Sequence, residues 1–510
     1  MYSTIHSGAL LGMSAYLVMV EVDIDRGLPA FCMVGSLSGE VRESRDRVMV
    51  ALKNAGLELP PNHVTVNLSP GDTRKEGTAF DLPIAVGLLA AMEKIEKARC
   101  ERILFLGELG LNGEVKRVNG VLPIVQEAVK HGIRECIVPA VNAREGAVVE
   151  EACVRGVGHI REVLEFIEAE TEEREKILPR ERFLQEEMSE FCGADFAEVN
   201  GQENAKRAAE IAAAGFHNML LVGPPGAGKS MIAKRIPGIL PAMTREESLE
   251  VTAVYSVAGQ LGEGKSLMTR RPFQSPHHGV TQAALLGGGM TPRPGMISLA
   301  HRGVLFLDEL PEFQRYVLDS LRQPIEEHQV QISRNGGNMV YPCDFMLVGA
   351  MNPCPCGFYP NKNRCKCTEV RRKQYVGKVS GPILDRIDLC VQLQAVDVRK
   401  LARSGKEESS EKIRQRVMEA RKRQEIRFSD GKYRFNSEIG SGDMDRYCKL
   451  GKEEQECIEK LYESLQLSAR VYYRILRVAR TIADLEGEER IKTEHLLEAA
   501  FYRPTVEFWG

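Results

Sequence analysis

Met219-Leu-Leu-Val-Gly-Pro-Pro-Gly-Ala-Gly-Lys-Ser230 is the stretch that decides the fold of this 510-residue chain. Met219–Val222 reads as a short buried strand. Gly223-Pro224-Pro225-Gly226-Ala227-Gly228-Lys229-Ser230 then matches the phosphate-binding loop pattern, with a helical segment expected over Met231–Arg235. Glycines at these positions let successive backbone N–H groups curl around a β-phosphate, and the helix contributes its positive end. Lys229 reaches the β- and γ-phosphates, and the Ser230 hydroxyl is a ligand for Mg²⁺. The alternative, a Gly/Pro-rich turn, lacks the flanking strand and helix. ATP and Mg²⁺ are therefore the expected cofactors.

Val304-Leu-Phe-Leu307 followed by Asp308-Glu309 supplies the second half of such a site. An apolar tetrapeptide suits a parallel strand buried on both faces. Its acids then emerge at the C-terminal end, where open α/β sheets bind ligands. Asp308 is expected to hold Mg²⁺ through its water shell and Glu309 to polarise the attacking water. Without the upstream loop they would read equally well as a solvated strand end. A third strand, Phe345–Gly349, leads to Asn352-Pro353, where the amide can order the lytic water or simply start a turn.

Leu384-Asp385-Arg386-Ile387-Asp388 offers Arg386 to stabilise charge on a transferring phosphoryl group; the alternative is a local pair with Asp385 or Asp388. Ser468-Ala469-Arg470 opens a helix whose Val471, Ile475, Val478 and Ile482 form an apolar stripe. Arg470, at its start, is the residue placed to reach a nucleotide, and Arg474 and Arg477 are expected in solvent.

The length allows about three domains, and 43% apolar with 27% charged residues excludes a wholly disordered or fibrous chain. No run approaches the roughly 20 apolar residues of a membrane span, and the N-terminus lacks the basic leader of a secretory signal. With 68 basic and 71 acidic side chains, any nucleic-acid binding must come from local patches. Thirteen cysteines, mostly single in apolar sequence, suggest reduced thiols and a cytoplasmic location.

The N-terminal part alternates strand-like runs (Tyr16–Ile24, Phe31–Val34, Val64–Leu68) with helical ones (Glu40–Asn54, Leu82–Met92). Residues 161–190 carry eleven Glu against five basic residues, which reads as a solvated, partly helical connector. The division is an α/β domain over 1–160, an acidic linker over 161–194 and a nucleotide-binding α/β core over 195–395. A charged connector over 396–450 and a helical domain over 451–510 follow.

Strand, phosphate loop, acid strand, asparagine strand, arginine and terminal helices, in that order, resemble the AAA+ ATPases. The detail is similar to the magnesium-chelatase-like branch, and within it to the ComM/YifB family. Gly27-Leu-Pro-Ala-Phe, Arg74-Lys-Glu-Gly77, Phe80-Asp-Leu-Pro83, Arg271-Pro-Phe-Gln-Ser-Pro-His-His278, Pro292-Arg-Pro-Gly295, Ile297–Glu309, Asn352-Pro-Cys-Pro-Cys-Gly357 and Leu467–Leu485 carry this resemblance across nearly the whole chain.

The resemblance implies a ring-forming, hexameric ATPase with a C-terminal helical lid. Arg386 would act as a finger on the neighbour's nucleotide, with Asn352 as first sensor and Arg470 as second. Family members with an assigned role look like DNA motors driving branch migration, so single-stranded or branched DNA and further copies of the chain are the expected partners, with no membrane. The alternative is a protein-remodelling ATPase similar to the magnesium-chelatase motor subunit, without DNA as substrate.

The N-terminal domain resembles the proteolytic domain of Lon, a ribosomal S5 domain 2-like α/β fold. Lys75-Glu-Gly-Thr-Ala79 puts alanine where that family needs its serine nucleophile, and the partner lysine would fall near Leu122. The covalent route is closed without nucleophile and base, so the domain reads as a binding or assembly fold.

Cys354-Pro-Cys356 and Cys365-Lys-Cys367 put four thiols within fourteen residues, an insertion at 353–368. They suit a tetrahedral S₄ zinc site; free thiols or a redox pair are the alternatives. Around them Lys362, Arg364, Lys366, Arg371, Arg372, Lys373 and Lys378 face one acid, Glu369, a basic patch able to follow a phosphate backbone or simply a solvated loop. Gln329–Arg334 and Asn338–Tyr341 flank Asn335-Gly336-Gly337, a hairpin signal. Arg334 and the tip are candidate DNA contacts in a ring pore. The basic helix over Glu411–Arg427 reads as a solvated connector, and His277 and His278 as polar packing in a loop.

Overall fold

The computed structural model describes residues 1–183, 193–262, 264–289, 292–334, 337–361, 363–394 and 407–503. Lys362 and the hairpin tip 335–336, both expected DNA contacts, lie outside the described residues. The chain is a mixed α/β protein with two main sheets, and the phosphate loop sits on the second.

The first sheet has seven strands in the order Ala30–Val34, His63–Ser69, Ser14–Asp25, Tyr2–Leu11, Ile103–Phe105, Glu135–Pro139, Cys153–Val157. Along Ser14–Asp25 the buried residues are Val18, Val20, Val22 and Ile24, the two-residue period of a strand with one covered face. Its neighbour Tyr2–Leu11 pairs with it antiparallel from Tyr2↔Asp23 to Leu11↔Ser14. That first strand escapes a sequence reading because Gly8 and scattered Ser and His residues break the alternation.

Helix Asp81–Ala91, buried along its whole length, closes the covered face. Gly87 lets it come so close that an added Cβ would stand 2.8 Å from Val22 Cγ2. Asp81 at its start is fully buried, accepts from Arg47 Nε at 2.7 Å and Nη2 at 2.9 Å, and from the Leu109 amide at 3.1 Å. Such a pair locks the helix entry, because removing either partner strands a buried charge.

The acidic segment needs a correction. Ile160–Glu168 is a helix with a capping box at His159 and Glu162, and Ile160, Val163, Phe166 and Ile167 are buried in the N-terminal core. The density of Glu reflects only its outer face. Arg155 and Arg174 lie over the Phe166 ring at 5.1 and 5.2 Å.

The second sheet is parallel, in the order Phe273–Gln274, Val304–Leu307, Met346–Met351, Met219–Val222, Leu389–Gln392. Helix Glu203–Gly215 packs on one face together with the C-terminal helices Ser410–Arg427 and Ala469–Glu486. The expected solvated connector over 411–427 thus has a buried side, with Ile413, Val417, Ala420 and Gln424 inside.

The two units touch. Gly120 N donates to the Ser256 carbonyl at 3.1 Å, and Gly12, in the turn between the first two strands, abuts Met339 on the hairpin formed by Gln329–Arg334 and Gly337–Pro342. No described helix is long and apolar enough to cross a membrane.

Phe166→Ala should destabilise the N-terminal unit by about 3–5 kcal/mol. Denaturant unfolding measures it. A change near zero is what a solvated connector would give.

Candidate active site

Register in the parallel sheet assembles the site. Val222 pairs with Met351 and Leu307 with Gly349, so the phosphate loop, Asn352 and Asp308-Glu309 all leave the same sheet edge. All four residues of Val304–Leu307 and of Met219–Val222 are buried, which fixes both strands in the middle of the sheet.

Gly226 and Gly228 take φ of +75° and +90°, the left-handed region open to glycine, and nothing lies within 4 Å of where a Cβ would go. That free space is a cradle for a phosphate. Lys229 Nζ donates to the Gly223 and Pro224 carbonyls at 2.7 and 3.0 Å and to Asn352 Oδ1 at 3.0 Å. Burial lowers the Lys229 ammonium from its usual range, while Asp308 and Glu309 oppose the shift. Ser230 Oγ donates to Asp308 Oδ2 at 2.7 Å, so the two oxygens suited to Mg²⁺ already meet. Glu309 has φ +51°, its amide donates to Asp308 Oδ1 at 2.9 Å, and its carboxylate is exposed. This donor set fits a Mg²⁺-bound triphosphate: Lys229 and the loop amides would hold the phosphates, Ser230 and Asp308 the cation, and Glu309 and Asn352 would face the attacking water.

Sequence reading assigned His278 to loop packing. In the structure its Nδ1 stands 3.7 Å from Glu309 Oε2, and its ring centre lies 3.9 Å from that of His277 with the planes tilted by 36°. An adjacent histidine pair upstream of an acid strand gave no sign of this; only the fold brings the loop over the strand end.

Arg386 and Arg470 are elsewhere. Met219 pairs with Leu389, so Asp385, Arg386 and Asp388 lie at the sheet edge opposite the phosphate loop, a strand length of about 13 Å away. Arg386 pairs with Glu326 and the Pro382 carbonyl, not with Asp385 or Asp388. Arg470 does not reach its own chain's phosphate loop; it is exposed and lies 3.5 Å from Asp385. Both arginines line one cleft of about 580 Å³ with Asn218, Glu326 and Arg474. Arg474 is buried against Asp388 at 3.5 Å, and Arg477 Nε donates to the Ile439 carbonyl at 2.8 Å, so neither is a solvated charge.

The Cys354, Cys356, Cys365 and Cys367 sulfurs lie within 4.8 Å of one another, with separations of 3.3, 3.5 and 3.7 Å among the first three. Four thiolates at a Zn–S distance of about 2.3 Å would sit about 3.8 Å apart, so the knuckle fits a tetrahedral soft metal. It rests on the phosphate loop: a Cβ on Gly357 would fall 2.4 Å from Pro225 Cδ.

The basic patch divides. Arg364 lies 4.1 Å over Phe358 and Arg372 4.0 Å over Tyr359, both packed onto the knuckle. Lys373 pairs with Glu369 at 2.8 Å. Lys366 and Arg371 remain exposed, and Arg371 lines a cleft with Glu309, Asn352, Tyr375 and Lys378. Arg334 ends its hairpin strand, paired with Gly337.

Three family models match in series: "Subunit ChlI of Mg-chelatase" over 20–142, "Magnesium chelatase, subunit ChlI" over 195–401 and "Magnesium chelatase, subunit ChlI C-terminal" over 407–503. An uncharacterised protein YifB of Salmonella typhimurium is 42% identical over 98% of this chain and 96% of its own length. The chain belongs to the ComM/YifB family of magnesium-chelatase-like AAA+-type ATPases. The competence protein ComM of Haemophilus influenzae is 41% identical over 98% of this chain and 97% of its own. A magnesium-chelatase 38 kDa subunit of Cereibacter sphaeroides is 25% identical over 31% of this chain. In this chain the exposed Glu309 carboxylate stands at the end of the acid strand with His278 beside it.

Glu309→Gln should lower kcat for ATP hydrolysis by about 10²-fold or more with ATP still bound. His278→Ala should lower kcat several-fold with KM little changed. An unaltered rate in either variant removes that residue from the site.

Proposed function

We propose that this protein is an ATP-hydrolysing ring motor acting on DNA, a branch-migration or helicase-type translocase. One observation carries the reading: Arg386 and Arg470 sit together at the sheet edge opposite the phosphate loop of their own chain. A guanidinium can stabilise a transferring phosphoryl group only by contact. The nucleotide of one subunit therefore receives both arginines from a neighbour, and the ring, probed first as a hexamer, is the catalytic unit. Arg470 acts in trans alongside Arg386.

DNA enters the reading through the named competence relative and through the exposed cations Lys366 and Arg371 beside the site. The hairpin strands Gln329–Arg334 and Gly337–Pro342, which meet the N-terminal unit through Met339, would face the ring pore. The N-terminal domain serves assembly and not proteolysis: Ala79 packs on the apolar cluster that contains Leu122, where a nucleophile and its base would be needed. The Cys354–Cys367 knuckle holds zinc as a brace under Pro225.

ATP hydrolysis should rise on adding single-stranded or branched DNA, and the rise should vanish in Glu309→Gln. If DNA leaves the rate unchanged and no binding appears at low salt, the chelatase-like protein-remodelling alternative takes its place. Mixed Lys229→Ala and Arg386→Ala chains, each inactive, should recover activity in shared rings, since one type of interface then has both an intact loop and an intact arginine. No recovery at any ratio argues against the shared site. Stripping zinc, or Cys356→Ser, should weaken ATP binding about tenfold, ~1.4 kcal/mol. A metal-free native protein would end the zinc assignment.

A further inference from the structure

His328, Asp344 and Glu438 bring an imidazole and two carboxylates together, with ligand atoms within 4.8 Å of one another. They come from separate parts of the chain. His328 and Asp344 flank the hairpin Gln329–Pro342, whose base is closed by Cys343 N donating to the His328 carbonyl at 2.9 Å. Glu438 belongs to the C-terminal helical part, on the turn before Ile439.

A mixed cluster of this kind needs more than proximity, and Asp344 supplies it. The residue is only 6% exposed, and its Oδ1 has no hydrogen-bond donor. His328 Nδ1 stands 3.1 Å from it, an ion pair when the imidazole is protonated. A neutral imidazole and a carboxylate oxygen that face each other without an aligned hydrogen bond can both turn to a metal ion, which replaces the proton the pair would otherwise share.

The remaining oxygens already have the partners that orient metal ligands. Arg302 Nη1 holds Asp344 Oδ2, and Arg302 is itself paired with Glu250. The Arg434 amide donates to Glu438 Oε2 at 2.8 Å. Carboxylate ligands in metal sites are supported in the same way from their outer side. The trio opens on a cleft of about 780 Å³, which gives an ion a path from solvent.

We propose that His328, Asp344 and Glu438 form a divalent transition-metal site that ties the base of the 329–342 hairpin to the C-terminal helical part. One imidazole nitrogen and two carboxylate oxygens favour an ion of the Mn²⁺ or Zn²⁺ class over Mg²⁺. The site is distinct from the cysteine knuckle, whose soft thiolates disfavour Mn²⁺, and from Ser230 and Asp308 at the other sheet edge.

The test uses full-length protein freed of loosely held metal, without nucleotide and with millimolar Mg²⁺ to cover the Ser230–Asp308 position. Free Mn²⁺ is followed by electron paramagnetic resonance during titration. One Mn²⁺ per chain is expected. Glu438→Gln and His328→Gln should each weaken it tenfold or more, while Cys356→Ser and Asp308→Asn leave it unchanged. Mn²⁺ should also raise the unfolding temperature of the native chain and not that of Glu438→Gln. Both glutamine variants keep the side chain's hydrogen-bonding capacity at part-exposed positions, and their circular dichroism checks the fold. Wild-type protein that takes up no Mn²⁺, or variants that bind it as tightly as wild type, would overturn the site.

Discussion

The parallel register of the second sheet governs everything built on it. Met219–Val222 lies between Met346–Met351 and Leu389–Gln392, and all three run the same way. Groups that follow these strands collect at one edge, and groups that precede them collect at the other. The phosphate loop, Asp308, Glu309 and Asn352 belong to the first set; Asp385, Arg386 and, through its contact with Asp385, Arg470 belong to the second. No side-chain rotation spans the sheet, so neither arginine reaches the phosphate loop of its own chain.

Around that sheet the chain builds supports that keep each edge in place. At the phosphate edge the cysteine knuckle continues directly from Asn352-Pro353 and presses Gly357 on Pro225, so the loop has a wall. At the arginine edge, Asp388 is largely shielded from solvent and accepts from the Asn218 amide at 3.2 Å, with His217 Nδ1 at 3.4 Å and Arg474 beside it. These neighbours hold the Asp388 carboxyl below its usual range although burial alone would raise it. Breaking such a buried cluster by removing one charge commonly costs about 3–5 kcal/mol.

The C-terminal helices are held by a similar device. Asp484, fully buried, accepts from Arg427 at 2.8 Å, Arg480 at 3.0 Å and Asn436 at 2.8 Å. It joins Ser410–Arg427 to Ala469–Glu486, and those helices carry Arg470 and Arg474 to the sheet edge. The N-terminal unit is engaged as well, since Ser256 donates its hydroxyl to Glu145 and Gly12 abuts Met339.

Local chemistry is what the sequence by itself determined. The phosphate loop, acid strand, asparagine strand and four-cysteine knuckle are contiguous motifs whose residue types carry their reason at short range. The helix Gly39–Asn54 and the strand His63–Ser69 were legible from periodicity for the same reason. Only the tertiary structure decided relations between distant segments. It placed His278 on Glu309, set Arg470 beside Asp385 instead of the phosphates, buried Phe166 within a Glu-rich run, and stacked Arg364 and Arg372 on aromatic rings. Each depends on which strand lies beside which, and that follows from burying apolar faces across the whole chain, a constraint that no short window of residues contains.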